Sequence, residues 1–285
     1  MKKYSYLLIF FLLFISCNSE FEPNVKKYIK KIDRSKSENS DIYFSQYINY
    51  DTTSTLSSIH FEYYDITNYS IKKLDLIHDI KYDQTNNLKG YIIDYDFLGN
   101  LNSSLVMNIV SDENKVISYE NIDFDTADSR FKYLYNEDRN RPYAKKIIDK
   151  DGLIYQIDLF EWNEGNLTKV SKYFTNGADV PAEELKNYTP DSQIQIHYDR
   201  NPNPELHMNG IIVPRGFQNI NIFNNRNNPI EIRYIKGQST RIIKRTFTYD
   251  EDGYPLTAIT KEVDSMLSNY GSNLYFDRYY YLENE

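Results

Sequence analysis

The sequence predicts an all-β protein, an antiparallel sheet of about fifteen strands, many of them with one polar face. Three observations carry that prediction. Apolar and polar residues alternate with a period of two through most of the 285 residues, as in Ile59, Phe61 and Tyr63 set against Ser58, His60 and Glu62. Turn formers sit between the alternating runs. The 28 Tyr and 15 Phe are the compositional excess, and aromatic residues fit half-buried pleated surfaces better than helices.

The amino terminus reads as an export signal. Met1-Lys2-Lys3 supplies positive charge, Leu7 to Ile15 is unbroken apolar chain, and Ser16 precedes the only cysteine, Cys17. The apolar run falls short of the roughly 20 residues that span a bilayer. It resembles a bacterial lipoprotein signal, with Phe14 where Leu is usual. The resemblance implies that residues 1–16 are removed, that Cys17 carries the lipid, and that an acylated Cys17 anchors the chain to the outer membrane on its periplasmic or outer side. Residues 17–24 then form a short polar tether. Seven extended residues reach at most about 25 Å, so the body stays close to its membrane. A single Cys also excludes an internal disulfide, and packing alone must hold the domain together.

Residues 25–285 read as a single all-β domain. The alternation returns at Tyr91, Ile93 and Tyr95, at Leu101, Leu105, Met107 and Ile109, and at Leu153, Tyr155, Ile157 and Leu159. It continues at Ile194, Ile196 and Tyr198, at Ile230, Ile232 and Tyr234, and at Phe247 and Tyr249. Asn86-Asn87, Gly99-Asn100, Asp151-Gly152, Glu164-Gly165-Asn166, Asn176-Gly177 and Asp252-Gly253 supply the positive φ that tight hairpins need. Pro181 to Lys186 predicts a short helix capped by Asp179. Asn201 to Gly216, with three prolines, predicts a long irregular connection.

One unit recurs: an aromatic residue, then Asp or Asn, then a turn, then an apolar residue opening the next strand. It occurs from Tyr50-Asp51 to Leu56, Tyr82-Asp83 to Leu88, Tyr95-Asp96 to Leu101, Trp162-Asn163 to Leu167 and Tyr249-Asp250 to Leu256. Together with Asn227-Asn228-Pro229, these units resemble a group of exported bacterial lipoproteins described as a domain of unknown function with a porin-like fold. The hairpins are similar to the tyrosine-aspartate repeats of Rhs-type proteins. That resemblance implies architecture and no reaction: a long antiparallel meander curled into a barrel or half-barrel, porin-like in shape, with charges on both sides of several strands that point to a soluble body rather than a membrane-spanning one.

Candidate chemistry is sparse. A net charge of −8 without basic clusters argues against nucleic acid as a partner. The four histidines show no metal-ligand spacing, although His60 with Glu62 and His197 with Asp199 share strand faces. The Asp149-to-Gly152 and Asp250-to-Gly253 turns resemble the start of a calcium loop, but Phe160 and Lys261 stand where its closing Glu would be. No nucleophile motif is present, so no cofactor, metal or catalytic residue is assigned. The expectation is a non-enzymatic, lipid-anchored envelope module that binds or assembles with a glycan or an envelope protein. The alternative is glycan binding on exposed aromatics, with Trp162, Tyr279 and Tyr281 as candidates. A carboxylate-pair hydrolase is the third.

Overall fold

The computed structural model describes residues 26–52, 54–65, 70–82, 84, 88–97, 100–112, 115–123, 129–136, 141–208, 225–264 and 274–282. The signal, Cys17 and the tether lie outside these residues. The first half of the barrel contains β1 (Ile29–Ser35), β2 (Ile42–Tyr50), β3 (Leu56–Asp65), β4 (Ser70–Tyr82), β5 (Leu88–Phe97), β6 (Asn100–Asp112), β7 (Lys115–Asp123) and β8 (Ser129–Tyr135). The second half contains β9 (Pro142–Ile148), β10 (Ile154–Asn163), β11 (Asn166–Gly177), β12 (Ser192–Pro202), β13 (Asn227–Lys236), β14 (Ser239–Tyr249), β15 (Pro255–Asp264) and β16 (Leu274–Tyr281).

Each strand pairs antiparallel with its sequence neighbours, and β1 pairs with β16. The registers Ile32↔Tyr279 and Arg34↔Asp277 close the meander into a barrel with no free edge. Both termini meet at one end, where the Leu282 N–H donates to the Tyr28 carbonyl at 3.0 Å.

The inner face is identified by side chains that reach past a neighbouring strand. Tyr133 of β8 approaches Phe160 of β10 with ring centroids 6.5 Å apart, and Arg245 of β14 donates to Tyr279 of β16 at 2.6 Å. Ile32, Ile48, Ile59, Phe61, Ile196, Ile232, Ile243 and Ala258 belong to the same buried cluster. The alternation read from the sequence at Ile59, at Ile196 and at Phe247 therefore points into the barrel.

Among the described residues, the outer face carries charged side chains at mid-strand height. Lys31 pairs with Asp33 at 2.9 Å on β1, and His60 neighbours Glu62 at 3.6 Å on β3. Glu231 of β13 is held by Arg233 at 2.5 Å and by Lys244 of β14 at 3.4 Å. Along β14, Lys244, Thr246 and Thr248 are exposed while Ile243 is buried. A two-residue period thus sends the large buried apolar cluster inward, with paired charges among it, and these charged side chains outward.

An apolar patch on the outer face of β9–β11 is covered. A bulge between Ile154 and Gln156 resets the register of β10. Ile154 consequently joins Ile157, Leu159, Ala144 and Tyr173 in an outer cluster rather than following Phe160 and Trp162 inward. The chain between β11 and β12 folds over this cluster and presents Ala182 and Leu185 from α1 (Ala182–Leu185). Pro181 is the N-cap of α1, without a side-chain cap. Asp179 is not the cap expected from the sequence, because its carboxylate pairs with Lys146.

Three connections share one lock. Asp51, Asp149 and Asp250 each donate the backbone N–H to the carbonyl of the residue four positions on, and each accepts that residue's N–H on its side chain at 2.9 Å. This is why Asp follows the last strand residue in the Tyr50-Asp51 and Tyr249-Asp250 units. The Pro-rich segment is less irregular than expected at its start: β12 continues through Pro202, and a 3-10 turn spans Pro204–Met208. Residues 209–216 lie outside the described set.

Candidate functional site

Trp162 closes β10 at the end of the barrel that holds the termini. Its ring packs on the inner core, and its Nε1–H donates to the Pro142 carbonyl at 2.8 Å. Arg141, directly before β9, folds back so that its guanidinium lies 4.8 Å from the Trp162 ring centroid. A cation on an indole face gains roughly 0.5–2 kcal/mol, depending on desolvation. That contact occupies one face of the indole, the face a sugar would otherwise stack on there.

The third member is Arg226. The β10–β11 hairpin turns through Glu164 and Gly165, with φ of 46° and 87°. A Cβ built on Gly165 would lie 3.3 Å from the Arg226 Cβ and 3.4 Å from the Arg141 Nη2. Glycine is needed here for conformation and for close approach. Asparagines hold Arg226 against the turn: Asn166 and Asn227 exchange two hydrogen bonds of 2.9 Å, and Asn225 Oδ1 accepts the Leu167 N–H at 2.8 Å. Arg226 itself donates its N–H to the Gly165 carbonyl at 3.4 Å. Two arginines on separate connections therefore converge over one glycine beside the sole tryptophan.

Arg141 is electrostatically unusual. Burial lowers its pKa below the ordinary arginine value; Tyr198 opposes this shift and the Arg226 charge adds to it. Its Nη1 is buried with no hydrogen-bond partner. Arginines on the inner face contrast with it. Arg34 forms a fork on Asp277 at 2.6 and 2.9 Å, and Arg241 binds Glu262.

The tyrosine triplet divides by strand alternation. Tyr279 faces inward, is 7% exposed and accepts from Arg245, so it cannot serve as the exposed platform expected of it. Tyr281 also turns inward, with its hydroxyl on the Pro255 carbonyl at 2.7 Å and its ring against Tyr254. Only Tyr280 points out, under the Lys31 ammonium at 5.7 Å. Trp162, Tyr279 and Tyr281 are thus brought to the same end of the barrel without forming a shared sugar-stacking cleft. Cys17, the lipid-attachment residue, lies outside the described residues.

Other expected chemistry resolves into structural roles. Asp250 and Asp252 both hold the Lys27 ammonium at 2.7 Å, so a lysine occupies the place a cation would take. Asp199 accepts from Asn228 and Tyr249, while His197 is exposed beside it. No group of three metal-ligating side chains occurs among the described residues. The side chains of His78 and His207 lie outside them.

A porin-like protein from Bacteroides uniformis superposes with a TM-score of 0.55 at 11% identity, covering 92% of this chain and 100% of that one. A second porin-like protein, from Bacteroides vulgatus, has 14% identity and a TM-score of 0.40, covering 91% and 100%. The first likeness shows a porin-like fold and nothing about ligand. No protein-family model and no curated protein matches the chain.

Arg141 and Arg226 escape sequence reasoning because each lies in a connection with no periodicity. The one available signal was the Gly165 turn, which marks a close approach without saying what approaches.

Proposed function

We propose that this is an exported, lipid-anchored cell-envelope protein whose barrel stands in water and acts as a non-enzymatic binding or interaction module. The observation that carries the reading is the charge on the outer face of the described strands. Lys31, Asp33, Glu231, Arg233 and Lys244 face outward at mid-strand height. In a membrane-spanning barrel each Lys or Arg at the bilayer midplane would cost about 2–4 kcal/mol, and the lumen rather than the outside would be polar. Anchoring then falls to Cys17, in keeping with the lipoprotein-like leader and with the exported porin-like lipoproteins that the hairpin units resemble.

The module reading is favoured over hydrolysis by the state of three described inner carboxylates. Asp158 is paired with Lys145 at 3.0 Å, Asp277 with Arg34 and Glu262 with Arg241. A general acid and its partner need carboxylates free to exchange protons and to face a bond. Replacing Cys17 with Ala tests the anchor: the full chain should shift from the membrane to the soluble fraction and its leader should remain uncleaved. Unchanged processing and fractionation would contradict the reading.

A further inference from the structure

We infer that Tyr155 and Phe174, with Gln156 and Lys172 beside them, form a sugar-binding platform at the mouth of the barrel opposite the termini. The inference rests on the binding-module reading and names the ligand as a glycan.

The two ends of the barrel treat their aromatic residues differently. At the end that holds the termini, Tyr82, Trp162, Tyr198 and Tyr281 donate to the backbone carbonyls of Leu56, Pro142, Leu167 and Pro255 at 2.7–3.0 Å. Each acceptor lies at or beside the start of the preceding strand, so these rings staple neighbouring strands together. At the opposite end Phe174 is 55% exposed and Tyr155 37% exposed. Among the described residues, neither side chain makes a ring contact or a hydrogen bond. Rings left open to water in this way can take the apolar face of a sugar ring.

Register brings the parts of the platform together. Gln156 is the Cα partner of Phe174 across β10 and β11, and Tyr155 precedes Gln156 where the register shifts. Lys172 is the partner of the inward-facing Asp158, and Phe174 stands two residues beyond Lys172 on the same face of β11. Gln156 and Lys172 are half-buried. Gln156 Nε2 donates to Asp158 at 2.6 Å, and Lys145 also holds that carboxylate at 3.0 Å. The Gln156 amide oxygen is therefore left to accept from a sugar hydroxyl. Lys172 is in no ion pair among the described residues, so its ammonium can donate to a hydroxyl or to a uronate carboxylate.

Size separates a glycan from a protein partner. A large aromatic side chain buries roughly 150–250 Å² in full, so these two partly open rings offer roughly 200 Å². A stable protein interface takes about 800 Å² from each partner. Orientation agrees with a ligand from outside: the chain enters β1 at the other end, and an anchor on Cys17 holds this mouth away from the membrane.

Calorimetric titration of the full-length protein in mild detergent tests the platform, with neutral hexasaccharides of glucan, xylan and mannan and with acidic hexagalacturonate as probes. At least one should bind saturably. Phe174→Ala and Tyr155→Ala should each raise its Kd about tenfold or more, with the far-ultraviolet circular dichroism unchanged. Phe174→Tyr, which keeps the ring, and Tyr280→Ala, which removes an exposed aromatic at the other end, should bind as wild type does. Lys172→Gln separates the two kinds of sugar: it should weaken hexagalacturonate about tenfold and a neutral hexasaccharide less than about threefold. If one alanine variant fails to fold, the other decides alone. No saturable heat with any of these probes, or equal Kd in wild type and the folded alanine variants, overturns the inference. Membrane fractionation of Cys17→Ala is read separately, so failure here is distinguishable from failure of the anchored-module reading.

Discussion

The two faces of β14 contain the same kinds of residue in opposite roles. Outward, Lys244 shares Glu231 with Arg233 in water, where such pairs contribute about 0–1 kcal/mol each. Inward, Arg245 lies among Tyr279, Phe247 and Asp277, where a charge is tolerated only because partners surround it. The difference teaches that this barrel spends its hydrophobic surface on itself. A lipid-embedded barrel would have to reverse the arrangement.

The largest effect should follow from stranding an inner charge. Asp277→Ala leaves Arg34 without its fork partner and should destabilise the protein by about 3–5 kcal/mol, read by denaturant unfolding. A loss below 1 kcal/mol would mean that water reaches the inner face. Next comes Ile59→Ala, which removes a fully buried side chain opposite Ile48 and should cost about 2–5 kcal/mol. Arg141→Met should break the inner pattern: with no ion pair to lose, stability should stay within about 1 kcal/mol of wild type.

A smaller effect concerns Lys27, which ties the entering chain to the β14–β15 turn. Burial opposes the Asp250 charge, but Lys27 and the N–H groups of Tyr254 and Asp252 outweigh it and hold its pKa below the usual 3.8. Its stabilisation is therefore complete above that value and is lost as the pH falls through the lowered pKa. Hydrogen bonds from Lys27 to Asp250 and Asp252 hold the lysine above its usual 10.5, so its share is complete below 10.5 and is lost as the pH rises through the raised pKa. Thermal unfolding of wild type and Lys27→Met should differ at neutral pH and converge in strong acid. A difference independent of pH would contradict the ion-pair account. The smallest effect belongs outside: Lys169→Ala, which breaks the exposed pair with Glu161, should cost about 0.2–1 kcal/mol and vanish in high salt.

The barrel was legible in the sequence because a two-residue period is written directly into strands such as β3 and β14. The faces failed where a bulge intervened. Leu153 and Tyr155 were grouped with Ile157 and Leu159, yet the shift at Ile154 leaves the first two exposed and the others under α1. Tyr279 and Tyr281 turn inward, which the sequence does not tell, because alternation defines two faces without saying which one is inside. Asp179 was read as a cap because it is close in sequence, whereas Lys146 reaches it across strands. The Arg141 corner was illegible for the same reason, since cation, indole and turn come from three separate connections.

The outward-facing charge is tested most directly by cysteine scanning of β14 in the membrane-bound protein. Single cysteines at Lys244, Thr246 and Thr248 should react quickly with a water-soluble maleimide, and those at Ile243 and Phe247 should react slowly. The opposite pattern, with outer positions shielded by lipid and inner ones open to water, would contradict the account.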